Sequence, residues 1–287
     1  MPDSRRARLA AVVGLLAAAL VAATAPATAA PDQAASDGKP GAVTQTTKPP
    51  TAPAPTTRPA PQPGVGGDRG VRTVRDLGDG TSETTLYAPA PGITDQQLFD
   101  RLKEQGVTGL VDPRAEGVTA LDDGACAWWT ATTLTCPRVE WARNGHAHPQ
   151  IYFVDHTSAA WPVDAAVSTW NQAQGVDSWY RWATCPNVGG AHCVNVTNGD
   201  FGATGWSTQT TWQDNGTFFI DGSVRSEFND YYPRSANAHR KTACHELGHA
   251  LGLSHNTNES SCLFHANNDI APLPDGNDFA LLADLYA

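Results

Sequence analysis

"HELGHALGLSH", residues 245–255, places three histidines and one glutamate within eleven positions. With the preceding "SANAHRKTAC" it reads as a helix over 235–253, whose buried stripe is Ala243, Leu247, Ala250 and Leu251. His245 and His249 are four apart, so on a helix their imidazoles leave one face one turn apart. That is the placement a single Zn²⁺ needs from two nitrogen ligands. Gly252 ends the helix, because glycine accepts the left-handed backbone a sharp turn requires. Three residues on, His255 returns toward the same point as the third ligand. Three protein ligands leave a fourth position open, the pattern of a catalytic rather than a structural zinc site. Glu246 lies beside the first ligand, where it can serve as general base toward a water in that position. The chain has only nine histidines in 287 residues, so a helix of incidental, solvated histidines is the weaker reading.

Working outward, "PQIYFVDH" (149–156) is rich in β-branched and aromatic residues and predicts a strand. "WPVDAAVSTWNQAQG" (161–175) repeats Val163, Ala166, Val167 and Trp170 at helical spacing, with Pro162 suited to the first turn and Gly175 to the stop. "HCVNVTNG" (192–199) and "GWSTQTTW" (205–212) alternate with period two and predict strands, and "GTFFIDGSV" (216–224) predicts a further short one at an edge. Strands and a helix, followed by a long chemistry-bearing helix, indicate a mixed α/β (α+β) domain over 126–287. No internal repeat is visible.

At every fixed position, His245-Glu-Leu-Gly-His249-Ala-Leu-Gly252-Leu-Ser-His255 matches H-E-x-x-H-x-x-G-x-x-H and so resembles the metzincin zinc metallopeptidases. "WPVDAAVSTWNQAQGVDSWYRW" (161–182) and "PDGNDFALLADLY" (274–286) are similar to secreted actinobacterial matrixin-like proteins. The resemblance covers about residues 126–287. It implies a twisted sheet with an edge strand along the cleft, a backing helix, a zinc-binding active-site helix and a short C-terminal subdomain. It also places the edge strand, which would take an extended peptide or protein substrate by main-chain pairing, near 217–222. The implied activity is zinc-dependent endopeptidase, with one catalytic Zn²⁺ on His245, His249 and His255 and Glu246 as base.

The sequence departs from the family in one respect. Metzincins carry a methionine in a turn beneath the zinc, and here the only methionine is Met1. By resemblance the turn is "ESSCLFH" (259–265), with Leu263 as the floor residue; Leu and Met are close in volume, and such a swap costs less than about 1.5 kcal/mol. Cys244 directly precedes the first ligand and Cys262 directly precedes the floor residue, so a bridge between them would fix the floor to the zinc helix. His265, two past the floor, is read as a loop histidine rather than a ligand. His146 and His148 would need partner carboxylates to hold a second zinc, and "TNGDFG" and "NNDIAPLPDGND" match no calcium loop, so neither further metal is supported.

All six cysteines, 126, 136, 185, 193, 244 and 262, follow residue 125. An even count in an exported chain implies disulfides, for which six cysteines allow about 15 pairings. The simplest joins neighbours: Cys126–Cys136, Cys185–Cys193 and Cys244–Cys262. Cys126 is the one cysteine positioned to block zinc as a thiolate, but "DDGACAWWT" lacks the family's switch motif and that use would leave Cys136 unpaired.

Export is read from residues 1–29, where Arg5, Arg6 and Arg8 precede an apolar run from Leu9 to Ala23 and the A-x-A-type Ala27-Thr28-Ala29, a signal peptide. "Ser4-Arg5-Arg6" leaves the general and the twin-arginine routes both open. Residues 30–70 are Pro, Thr, Ala and Gly, too poor in apolar side chains to offset ordering entropy, and predict a disordered linker. Residues 71–125 form a weakly patterned lead-in or pro-region with one helix in "TDQQLFDRLKEQG" (94–106), capped at Thr94 or Asp95 and stopped by Gly106. Residues 71–287 hold 25 acidic against 12 basic side chains, which argues against nucleic acid or an anionic membrane as partner. A secreted, extracellular monomer is expected. Two other functions compete: a zinc-stabilised, non-catalytic binding domain, and a peptidase of cell-wall cross-links.

Overall fold

The computed structural model describes residues 71–112, 139–255, 258–264 and 272–287. In chain order the elements are β1 (Val71–Gly78), β2 (Thr81–Pro89), α1 (Asp95–Glu104), β3 (Leu110–Val111), β4 (Gln150–Asp155), α2 (Val163–Trp170), β5 (Asp177–Trp182), β6 (Ala191–Gly199), β7 (Trp206–Asp214), β8 (Arg225–Asn229), α3 (Ala236–Ala250) and α4 (Gly276–Leu285). The strands form one eight-stranded sheet in the order β3-β1-β2-β7-β8-β6-β4-β5. β5, β4, β6 and β8 run parallel, whereas β7 is antiparallel to β8 and β2 is antiparallel to β7. The fold is mixed α+β, as the order of sequence patterns implied.

The parallel strands bury alternate residues, so one face of this half of the sheet packs into the core. Ile151, Phe153 and Val154 of β4 and Val194 and Val196 of β6 are almost wholly buried. α2 and α3 pack against one another, and Val163, Ala166, Val167 and Trp170 of α2 join Ala243, Leu247 and Ala250 of α3 in the main core. Four tryptophans, Trp141, Trp161, Trp170 and Trp212, are the largest wholly buried side chains. Each indole N–H meets an acceptor: the carbonyl of Ala250 for Trp141, Asp230 for Trp161, the carbonyl of Cys244 for Trp170 and Asp214 for Trp212. A tryptophan can be buried whole only when that donor is satisfied. α4 closes the core with Leu281, Leu282 and Leu285, and its N-cap Asp275 and Asp278 form a reciprocal capping box.

The structure corrects the sequence reading in three places. The lead-in contributes three strands as well as a helix. α1 is where the pattern put it, with Thr94 and Gln97 in a capping box and Leu98, Phe99 and Leu102 buried. The strands "VRTVRDLG" and "TSETTLYAP" escaped notice because threonines and charges, not apolar residues, fill their alternating positions. Second, β5 and β8 are strands that were not anticipated. Third, residues 216–224 do not form the strand along the cleft: Phe218 and Phe219 make only isolated bridges to Glu140 and Asp214. Gly216 and Gly222 both adopt positive φ, and Asn215 turns the chain by accepting from the amides of Thr217 and Phe218, so the segment is a turn-rich loop pinned by Phe219 between Trp141 and Trp212. The strand lying against α3 is β7. The expectations for residues 1–29, 30–70, Cys126, Cys136 and His265 concern positions outside the described residues.

Candidate metal centre and active site

α3 begins at Ser235, whose hydroxyl caps the amide of Ala238, and it is buried at every position from Lys241 to Ala250. Its C-terminal carbonyls are satisfied by side chains: Ala250 accepts from Trp141 and Leu251 from the Tyr286 hydroxyl. Gly252 follows at φ +94, where a Cβ would also lie 2.7 Å from the Val139 carbonyl oxygen and 2.9 Å from Leu285. Only glycine satisfies both constraints, so the chain turns sharply there and brings His255 back to the helix.

The three histidines converge. Ring centroids are 4.5 Å apart for His245–His249, 5.1 Å for His245–His255 and 4.8 Å for His249–His255. One nitrogen from each lies within 4.8 Å of the other two, and among the described residues this is the group of His, Cys, Asp and Glu able to hold a metal ion. His245 donates its Nδ1–H to the carbonyl of Cys262 at 2.9 Å, and His249 donates its Nδ1–H to the carbonyl of Leu253 at 2.8 Å. Carbonyls only accept, so both rings are fixed in the tautomer that leaves Nε2 with a lone pair. The two Nε2 atoms face each other at 3.0 Å, buried. Two lone pairs held so close call for a cation between them, and a zinc ion about 2.0–2.1 Å from each nitrogen fits that donor set. Burial pulls the His249 imidazole down to about 4. Burial, followed by the charges of His249, His255 and Lys241, draws His245 well below the usual histidine range. Both are therefore neutral at neutral pH, the form that ligates.

Glu246 is 1% exposed and turned toward the sheet. Thr208 donates to its Oε1 at 2.5 Å and Thr210 to its Oε2 at 2.6 Å. These threonines are two apart on β7 and so share a face. Burial pushes the carboxyl up to about 7, against the two threonine bonds and the Arg234 charge, which favour the anion. The sequence reading missed both threonines; their one visible sign was the period-two run "STQTTW" 36–38 positions upstream of the glutamate.

Two of the three expected disulfides lie among the described residues. Cys244 and Cys262 are bridged, as are Cys185 and Cys193. Leu263 is 1% exposed and packs on Gly248, where an added Cβ would lie 2.7 Å from Leu263 and 2.8 Å from Trp170. The turn thus touches the helix in three ways: through sulfur to Cys244, through the Cys262 carbonyl to His245, and through Leu263 to Gly248. Neither His146 nor His148 joins the triad. His146 bonds the Gly189 carbonyl and His148 faces Asp177 at 3.7 Å.

No curated protein matches the chain. The matrixin family matches residues 127–287, more than half of its length. That span contains the whole histidine group, α3 and the parallel half of the sheet, and on this match the chain belongs to the matrixin family of metzincin-type zinc metallopeptidases.

Proposed function

We propose that the protein is a secreted zinc-dependent endopeptidase whose ion is held by His245, His249 and His255 and whose general base is Glu246. The observation that carries this reading is the pair of buried Nε2 atoms of His245 and His249, facing each other at 3.0 Å one residue from a buried carboxyl near neutrality. Bound there, Zn²⁺ would supply Lewis acidity toward a peptide carbonyl and make a water more acidic. Glu246 accepts a proton from the attacking water as its oxygen bonds the carbonyl carbon, and returns that proton to the nitrogen as the C–N bond breaks. A carboxyl near 7 is matched to both halves of this shuttle at neutral pH. Thr208 and Thr210 orient the carboxylate. The Cys262 and Leu253 carbonyls hold two imidazoles in the ligating tautomer. Residues 1–29 serve as the export signal, 30–70 as a tether, and 126–287 as the peptidase domain.

Glu246→Gln is expected to keep the fold and stoichiometric zinc while lowering hydrolysis by about 10²–10⁴-fold. Casein, a peptide library and peptidoglycan, each tested with and without chelator, identify the substrate class. Near-native turnover in Glu246→Gln, or chelator-insensitive hydrolysis, would remove the assignment.

A further inference from the structure

The end of the sheet at which β1 begins carries an exposed aromatic patch. Phe201 is 41% exposed and Tyr231 47%, with Tyr232 half-buried beside them. Two loops, 199–205 and 229–232, present these rings, and Asn229 fastens the loops together. Its Oδ1 accepts the backbone amides of both Phe201 and Tyr231, and its Nδ2 donates to the carbonyls of Gly202 and Trp206. The Tyr232 hydroxyl accepts the Gly205 amide at 2.8 Å. Phe201 leans on Trp206 with ring centroids 5.2 Å apart, and Tyr231 meets Tyr232 edge-on at 5.0 Å. Scattered exposed apolar side chains are ordinary, but aromatics grouped on a braced backbone mark a binding surface.

What reaches this patch is set by where the chain enters the sheet. Val71, the first residue of β1, is wholly buried in one apolar cluster with Trp206, the residue on which Phe201 rests. Val71 stands opposite Tyr87, and two positions further along β2 Pro89 stands opposite Trp206. Residues before 71 therefore leave the sheet on the side of the two loops. They comprise "GVGGDRG" (64–70), whose four glycines let the chain reverse, and before it "TTKPPTAPAPTTRPAPQP" (46–63), with seven prolines. Such a sequence favours the polyproline II helix, which is extended before it binds and docks on aromatic side chains at small entropic cost. The charges agree. Lys48 and Arg58 are the only charged residues of 46–63, whereas residues 71–287 hold 25 acidic against 12 basic side chains. Asp200 and Asp230, both exposed, directly precede Phe201 and Tyr231, and the nearby Arg234 guanidinium turns away to Thr242.

We propose that the chain's own proline-rich segment, residues 46–63, docks on Phe201, Tyr231 and Tyr232. The patch is a polyproline II site filled in cis. The segment cannot bury enough of its own surface to order alone, but the patch lies beside the point where it joins β1, so binding is intramolecular and favoured by a high effective concentration. The inference is independent of the peptidase reading above.

Nuclear magnetic resonance on three full-length, isotope-labelled chains tests it: native, a chain with the seven prolines of 46–63 replaced by serine, and Phe201→Ser combined with Tyr231→Ser. In the native chain, through-space contacts are expected between proline ring protons and the Phe201 and Tyr231 rings. The backbone amides of 46–63 should also tumble with the folded region. Both variants are expected to lose the contacts and to release those amides to fast local motion. Phe201 and Tyr231 are exposed, so their replacement leaves the core untouched. Should the ring variant still not fold, the serine chain, unaltered over 71–287, keeps the comparison. Segment amides equally mobile in all three chains overturn the inference, as do contacts from the segment to another surface. Contacts found only between labelled and unlabelled copies in a mixed sample overturn it in favour of a second copy. Capture of synthetic peptide 46–63 by the serine chain, with the native segment free, overturns it in favour of a foreign proline-rich partner.

Discussion

The two flanks of β7 are built differently. On one side stand the parallel strands, α2, α3 and α4, joined by a core of four buried tryptophans and tied by the Cys185–Cys193 and Cys244–Cys262 bridges. On the other stand β1, β2, β3 and α1, with a cluster of five of their own apolar residues and Trp206. Among the described residues no disulfide reaches this second region. The second region is hydrogen-bonded to β7 along a full ladder but shares little buried apolar packing with the main core, and regions of that kind open at lower free energy than the core they adjoin. The histidine triad and Glu246 therefore sit on the flank that is more firmly packed.

The sharpest way to break this contrast is to make comparable cavities on both sides. Trp170 is wholly buried, packs on Gly248 and donates to the Cys244 carbonyl. Trp170→Ala is expected to cost about 3–5 kcal/mol of global stability, read as a lower denaturant midpoint for the whole cooperative transition. Leu98 is equally buried but belongs to the small cluster. Leu98→Ala costs about 2–5 kcal/mol at its site, yet the expected outcome is loss of amide-exchange protection over 71–112 with the main midpoint held. An equal fall of the main midpoint in both variants would mean that the two flanks are one cooperative unit.

Next in size is the covalent tie. Opening a bridge that spans 18 positions removes about 3 kcal/mol, so the double variant Cys244→Ser, Cys262→Ser unfolds at lower temperature. The more telling readout is zinc retention against a competing chelator. The Cys262 carbonyl holds the His245 tautomer, so loosening that turn weakens the metal site as well as the fold. Wild-type zinc affinity in the double variant would show that the bridge is only a staple. Smaller again is crowding at the floor. Gly248→Ala puts a methyl within 3 Å of both Leu263 and Trp170, at about 1–3 kcal/mol. A double-mutant cycle with Leu263→Ala should recover part of that cost, because the smaller side chain vacates the space. Additive losses would place the strain on Trp170 instead.

The same contrast explains what could be read in the sequence. The rigid flank was legible because its signals are local. His245 and His249 lie four apart on one helix, Gly252 sits at the turn that follows it and needs glycine, and Val163 to Trp170 repeat at helical period. Cys244 and Cys262 were legible as neighbours in the order of cysteines, one beside the first motif histidine and the other beside the residue that the family resemblance marks as the floor. β2 was illegible for the opposite reason. "TSETTLYAP" is a strand because β1 and β7 flank it, and Thr85 meets a partner more than 120 positions away, Thr211. The threonines that hold Glu246 were hidden in the same way: period-two alternation predicts a strand but not what its buried face meets. The segment 216–224 was misread because "TFFI" has strand composition, while Asn215, Gly216 and Gly222 decide the backbone.

The smallest expected effect separates the flanks by pH. None of the nine histidines falls between residues 71 and 112, so between about pH 5 and 6.5, where unperturbed histidine is the side chain that titrates, acid acts chiefly on the rigid flank. His239, on α3, lies against Trp161 with ring centroids 4.2 Å apart. Its imidazole is held below the ordinary value by burial and then by the Arg234 charge, against Asp230 and the Ala160 backbone, which favour the cation. A base whose folded pKa is depressed binds protons more readily unfolded. Its neutral form therefore costs no stability above about 6.5, and stability falls as pH drops below that point until the folded value has been passed. His245 and His249 respond in the same direction, so the contribution of His239 is isolated as the difference between native and His239→Gln. Thermal unfolding at pH 7.5 and pH 5.5 should show a smaller acid-induced drop in His239→Gln, with exchange protection over 71–112 unaltered by the substitution. An unchanged acid drop would show that His239 carries none of it.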